Sequence, residues 1–237
     1  MRPQNLSYYV EVYAAVERIV LRSGCGAATV RAVAAEGGLS ASTVRYYYRN
    51  QSHLLACAFA AVDDHFSHEL GRHPFAPGRL GRGDKPRVED AVDVLAVHLP
   101  TDGAGLERLR LLHAYKAWGR HDWDMAVTVG GFDRRLLDLS HRVLVGLGLP
   151  TPQAQRQARI LRAVVTGLAE EVVTLAGPPE GEPAMRLPDR FTDRGVRAAL
   201  TQHLRAVLTE HPQVVADPVD PSYDDQRPED LPVDRAG

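Results

Sequence analysis

Between Thr29 and Leu55 the chain reads TVRAVAAEGGLSASTVRYYYRNQSHLL. Two short helical stretches flank Gly37-Gly38, and a third helix follows Asn50. The glycine pair is the constraint. Glycine accepts positive φ, so the backbone reverses there at little steric cost. Thr29, Ser40 and Asn50 stand where N-caps are expected, each one residue ahead of a helical stretch. Val30, Val33, Ala34, Leu39 and Val44 supply the apolar contacts. Helices this short are marginal alone and must be held by packing. The segment therefore predicts two small helices crossing through a tight turn.

The rest of the chain repeats the helical period. Leu6, Val10, Tyr13, Val16 and Val20 form the apolar face of a first helix, closed by Ser23-Gly24-Cys25-Gly26. Leu55, Phe59, Val62 and Phe66 mark a fourth. Residues 71–87, rich in Gly, Pro and Arg, predict a loop. Val88, Val92, Leu95 and Leu99 give a fifth helix, and Leu106 to about Trp123 a sixth. Val129, Phe132, Leu136, Leu139, Val143 and Leu147 give a seventh. Thr151-Pro152 opens an eighth in the favoured cap-then-proline order. A ninth runs from about Thr192 to Glu210. No segment alternates as a half-buried strand does. The expected fold is all-α, with an N-terminal three-helix domain joined to a C-terminal helical bundle.

Charge is unevenly spread. The net of −2 hides six arginines against three glutamates in residues 1–56. Residues 212–237 carry seven acids against two arginines, with many prolines, and predict a flexible acidic tail. A neutral whole with a basic end suits local contact with nucleic acid and argues against a uniformly basic coating protein. The two cysteines do not make a disulfide framework, and neither a signal pattern nor a membrane-length apolar run is present. The expected location is cytoplasmic.

Helix, glycine turn and helix is the layout of the helix-turn-helix, whose second helix enters the major groove of DNA. Residues 6–55 resemble the DNA-binding domain of TetR-type (tetracycline-repressor-like) regulators. The resemblance rests on Thr29-Val30-Arg31, on Leu39-Ser40 with Ser42-Thr43-Val44, and on the aromatic cluster before Asn50 and Leu54-Leu55. Arg45 stands where that family commonly has tyrosine, Tyr48 where it has phenylalanine, and Gln51 where it has lysine. The resemblance implies a DNA-binding domain at 1–50 and an effector-binding and dimerisation domain at 51–211. It implies a homodimer on a near-palindromic double-stranded operator, released by a small apolar or aromatic effector, most simply as a repressor. A helical small-molecule or partner-binding protein without DNA binding is the alternative.

Within the head the expected DNA contacts are Thr29, Arg31, Ser40, Ser42, Thr43, Arg45, Tyr47, Arg49 and Gln51. Three consecutive tyrosines point about 100° apart on a helix, so Tyr48 is assigned to the core and Tyr47 to the DNA backbone. In the body, His113, Tyr115, Trp118, His121, Trp123 and Phe132 are either ordinary core or the wall of an effector pocket. Leu161, Val165, Leu168, Val172 and Leu175 form a narrow stripe that fits a helix–helix seam. The resemblance makes that seam the dimer interface. His65, His68 and His73 suit a solvated helix end better than the converging ligands zinc requires, so no metal and no cofactor are expected. The glycine clusters lack a strand-then-helix setting, and no serine elbow or CxxC occurs, so no enzyme is expected.

Overall fold

The computed structural model describes residues 3–76, 79, 86–99, 103–176 and 192–210. The expected acidic tail and much of the expected 71–87 loop lie outside these, as does the side chain of Leu6. Helices are α1 (Pro3–Ser23), α2 (Val30–Glu36), α3 (Ala41–Tyr47), α4 (Gln51–Leu70) and α5 (Val88–Ala96). They continue as α6 (Gly103–Trp118), α7 (Trp123–Gly146), α8 (Thr151–Leu175) and α9 (Asp193–Glu210). A 3-10 turn at Cys25–Ala27 links α1 to α2. No strand occurs among the described residues.

The head is α1, α2 and α3. Thr29 caps α2, its hydroxyl accepting from the Ala32 amide at 3.2 Å. Gly38 takes φ of +63°, and the Leu39 amide bonds back to the Ala34 carbonyl at 2.8 Å, closing α2. Arg18 and Arg22 of α1 both reach Glu36 at 2.9 Å and tie the two helices together. Those two bonds hold the Glu36 carboxyl below its usual range. The buried face of α1 is Val12, Ala15, Val16, Ile19 and Val20, with Val10 exposed. This corrects the expected stripe. The helix is apolar over much of its circumference, so period alone does not choose its inner side.

Helix α4 belongs to both parts. Leu54, Leu55, Ala58, Phe59, Val62 and Phe66 are all buried. Phe59 meets Tyr115 of α6 at 5.5 Å between ring centroids, and Phe66 meets Phe132 of α7 at 5.4 Å. The first turn of α4 is tied twice. The Gln51 amide donates to the Cys25 and Gly26 carbonyls at 2.9 and 3.1 Å, and the Ser52 hydroxyl donates to Asp122. Asp122 also caps α7 by accepting from the Met125 amide at 2.9 Å. These bonds, the Ser52 one first, hold its carboxyl below the ordinary range. Helix α6 ends at Trp118, and Trp123 opens α7, so the expected sixth helix is too long by a turn.

The body is α5 to α9 against the outer half of α4. Leu161, Val165 and Val172 of α8 are buried within the single chain, while Leu168 and Leu175 are half-buried. The stripe expected to form the dimer interface is thus mostly an internal seam, packed on α7 and α6. A helix of a bundle spends its main apolar face on its own core first.

Two polar side chains are buried in this core among the described residues, Ser140 and His98. The Ser140 hydroxyl donates to the Leu136 carbonyl at 2.8 Å. The His98 ring stacks on Phe66 at 5.6 Å, and its Nδ1 has no hydrogen-bond partner among the described residues. Burial pushes its pKa down to about 4 from an ordinary 6.5, and the Lys116 charge adds to this.

Two predictions arise. Asp122→Ala removes a cap and the link to α4, and should lower stability by about 1–2 kcal/mol, read from urea denaturation. His98 is the second. A base with a depressed folded pKa favours the fold above its unfolded pKa and loses that advantage as pH falls. Stability should therefore drop between pH 6.5 and about 4, by up to ~3 kcal/mol. His98→Phe should flatten the curve in that window. An unchanged slope would show that His98 does not carry it.

Candidate nucleic-acid interface and body cavity

Helix α3 buries Val44, and Tyr48 follows it into the core. The opposite face presents Ser42, Arg45 and Tyr46, with Thr43 beside them and Arg49 just past the helix end, all exposed. Arg31, at the start of α2, is exposed too. Arg31, Arg45 and Arg49 make no ion pair among the described residues, unlike Arg18 and Arg22. The Thr29 oxygen accepts the Ala32 amide, and its O–H remains a donor to the outside.

Several expected contacts sit differently. Ser40 occupies the N-cap position of α3 without capping it, and its hydroxyl pairs with that of Ser42 at 2.6 Å. Gln51 is turned inward, its amide N–H groups held by the Cys25 and Gly26 carbonyls. That revises its expected role from DNA contact to support. Tyr47 is half-buried against Tyr8 and Tyr9, at 5.0 and 5.7 Å. Tyr46 is the freer ring, 83% exposed. The tyrosines differ because α1 crosses behind α3, a tertiary fact that the local sequence does not carry. Asn50 caps α4, accepting from the His53 amide at 2.8 Å.

The six aromatic and histidine positions of the body are not gathered into one pocket. Trp123 is 81% exposed and His121 is exposed. Trp118 is half-buried and lies against Gly26 of the head, within ordinary contact distance of where a Cβ would stand. Tyr115 is fully buried and packs on Phe59. His113 and Phe132 do come together, beside a cavity of about 20 Å³. Its wall also holds His98, Leu109, Leu112, Lys116 and Val165. That volume suits a single water.

At the rim, His113 Nδ1 stands 3.0 Å from Glu170, and Lys116 Nζ stands 2.7 Å from Asp133. Burial lowers the His113 pKa against the opposing pull of Glu170. Lys116 also lies 5.4 Å from the centre of the Phe132 ring. The sequence reading missed His98 and Lys116. The usable signal was a histidine placed directly before Leu99, on the apolar side of a helical period.

No group of three or more His, Cys, Asp or Glu side chains is placed to hold a metal among the described residues. No described helix is long and apolar enough to cross a membrane.

No family model matches the chain. It is 26% identical over 202 residues to the HTH-type transcriptional regulator PksA of Bacillus subtilis (strain 168), covering 84% of this chain and 89% of that protein. A transcriptional regulator from Rhodococcus sp. Rha1 superposes with a TM-score of 0.69 at 21% identity, over 87% of this chain and 98% of that one. A TetR-family regulator from Rhodococcus sp. gives 0.60 at 14% identity, over 84% and 97%. A SmeT–triclosan complex gives 0.61 at 19% identity, over 96% and 100%. The likeness takes in more than four-fifths of the chain in each case, and the chain has the fold of the TetR-type transcriptional regulators.

Proposed function

We propose that the protein is a dimeric, ligand-responsive DNA-binding regulator that acts as a repressor. The observation that carries this reading is the contrast among the arginines of the head. Arg18 and Arg22 are engaged by Glu36, whereas Arg31, Arg45 and Arg49 project from the α2–α3 face without an ion pair among the described residues. Positively charged side chains arranged this way suit the phosphates and guanine edges of a major groove. Arg45 lies mid-surface on α3 and is assigned a base edge. Arg31, Arg49, Thr29 and the start of α4 are assigned phosphates. Tyr46 joins them in place of Tyr47.

Two heads must be held at a fixed spacing to meet successive turns of one DNA face. The surface assigned to the partner is the outer face of α8. Ile160 is 49% exposed there, and Ala163 and Gly167 follow at helical spacing. Small side chains let a second helix approach closely. Leu168 and Leu175, half-buried, flank this face.

The effector site is assigned to the cavity beside Phe132. That ring contacts both Phe59 and Phe66 of α4, at 6.2 and 5.4 Å. A molecule that displaces Phe132 also displaces α4, whose first turn is bonded to the head. Its leverage equals its difference in affinity between the two head spacings.

In a gel shift with the protein's own upstream DNA, Arg45→Ala should weaken binding by about 1–3 kcal/mol and relax specificity at one base pair. Binding should fall steeply with salt, as phosphate contacts release counterions. Salt-insensitive affinity, or an unaffected Arg45→Ala, would refute DNA docking through α3. Ile160→Glu should give a folded monomer in sedimentation with poor operator affinity. A wild-type dimer would place the interface elsewhere.

A further inference from the structure

The wall of the cavity beside Phe132 has a one-sided chemistry. Its apolar part is Leu109, Leu112, Phe132, Leu136, Val165 and Ala169. Its polar part is His98, His113, Lys116 and Thr166, with no carboxylate. The acids that answer these bases lie outside the lining. Glu170 has a largely exposed side chain, and Asp133 is more exposed than the Lys116 it pairs with. His98 is buried to more than nine-tenths, lines the cavity and leaves Nδ1 unpartnered among the described residues. Buried polar atoms are rarely left so in a native protein, and an unfilled one calls for an explanation.

We propose that this cavity receives a small organic acid, its apolar or aromatic body against Phe132, Leu136 and Val165 and its carboxylate toward Lys116, His113 and His98. The proposal rests on the effector reading above and names the ligand class for that site. A carboxylate entering there replaces Asp133 and Glu170 as the partner of Lys116 and His113. It does so in a drier setting, where the ion pair is stronger than at the surface. His98 Nδ1 gains a polar neighbour at the same time. An organic cation would meet Lys116 with the same sign of charge in low dielectric, which is strongly unfavourable. A neutral isostere keeps the apolar contacts and loses the ion pair.

Entry requires the cavity to widen, since about 20 Å³ does not hold an organic molecule. The two rim contacts supply the means. Lys116 and Asp133 form a partly exposed ion pair, and His113, a ring whose pKa burial lowers, stands against the largely exposed Glu170, so neither contact locks the rim. Lys116 and His113 can swing outward and return onto the ligand.

The test uses the full-length protein and three probes of similar shape: benzoate, benzamide and protonated benzylamine, titrated by calorimetry at pH 7 and constant ionic strength. Benzoate should bind at least tenfold more tightly than benzamide, and benzylammonium should show no binding. Lys116→Met should abolish the preference for benzoate while sparing benzamide. Asp133→Asn, a change on the partly exposed rim, should free Lys116 and tighten benzoate severalfold. Equal or tighter binding of benzamide or benzylammonium would overturn the acid class and leave the pocket standing. If none of the three binds, both the acid class and the pocket are overturned. Ala169→Leu narrows the cavity. If that variant is folded by circular dichroism and binds benzoate unchanged, the pocket itself is misplaced and both readings fall.

Discussion

Two adjacent side chains in one helical turn fasten the head to the body. Gln51 bonds backward to the 3-10 turn of the head, and Ser52 bonds forward to the aspartate that caps α7. A helix start normally leaves its polar groups to water or to a cap. Here it also serves as the point where two packed regions are fastened. Helix α4 is therefore not a loose tether. It is a rod clamped at its beginning and wedged further along by Phe59 and Phe66 against Tyr115 and Phe132.

The head is braced internally on two sides. Tyr8, Tyr9 and Tyr13 of α1 face Tyr47 and Tyr48 at the end of α3, with centroid separations from 5.0 to 6.5 Å. Edge and tilted ring contacts of this kind fix orientation as well as proximity. Glu36 adds an electrostatic clasp on the other side of α1. The outer face of α3 carries polar and basic groups, of which Arg45 makes no ion pair among the described residues. The buried and the polar sides of this seven-residue helix are thus opposite one another.

The sequence carried most of what is local. Thr29 and Asn50 cap as their positions imply, because capping depends on three or four neighbouring residues. The fold class and the helix order followed from period and glycine placement. Most of what failed was tertiary. The Leu161–Leu175 stripe identifies an inner face of α8 but not the neighbour that covers it. Trp123 looked like part of a pocket because the break after Trp118 was missed. A helix interruption of a few residues rotates everything beyond it. Asp122 was readable in principle, as an acid three residues ahead of buried Met125 in the first turn of a new helix. Gln51 was not. Its partners are more than twenty residues away, and nothing in its own segment points to them.

The two tryptophans occupy contrasting places. Trp118 is tucked between body and head beside Gly26, and Trp123 stands in solvent only five residues later. A water-borne quencher such as iodide meets Trp123 more readily than the half-buried Trp118. Emission that resists quenching is therefore weighted towards the junction. A change in that fraction would report on the contact between head and body, with a built-in solvent reference and no added label.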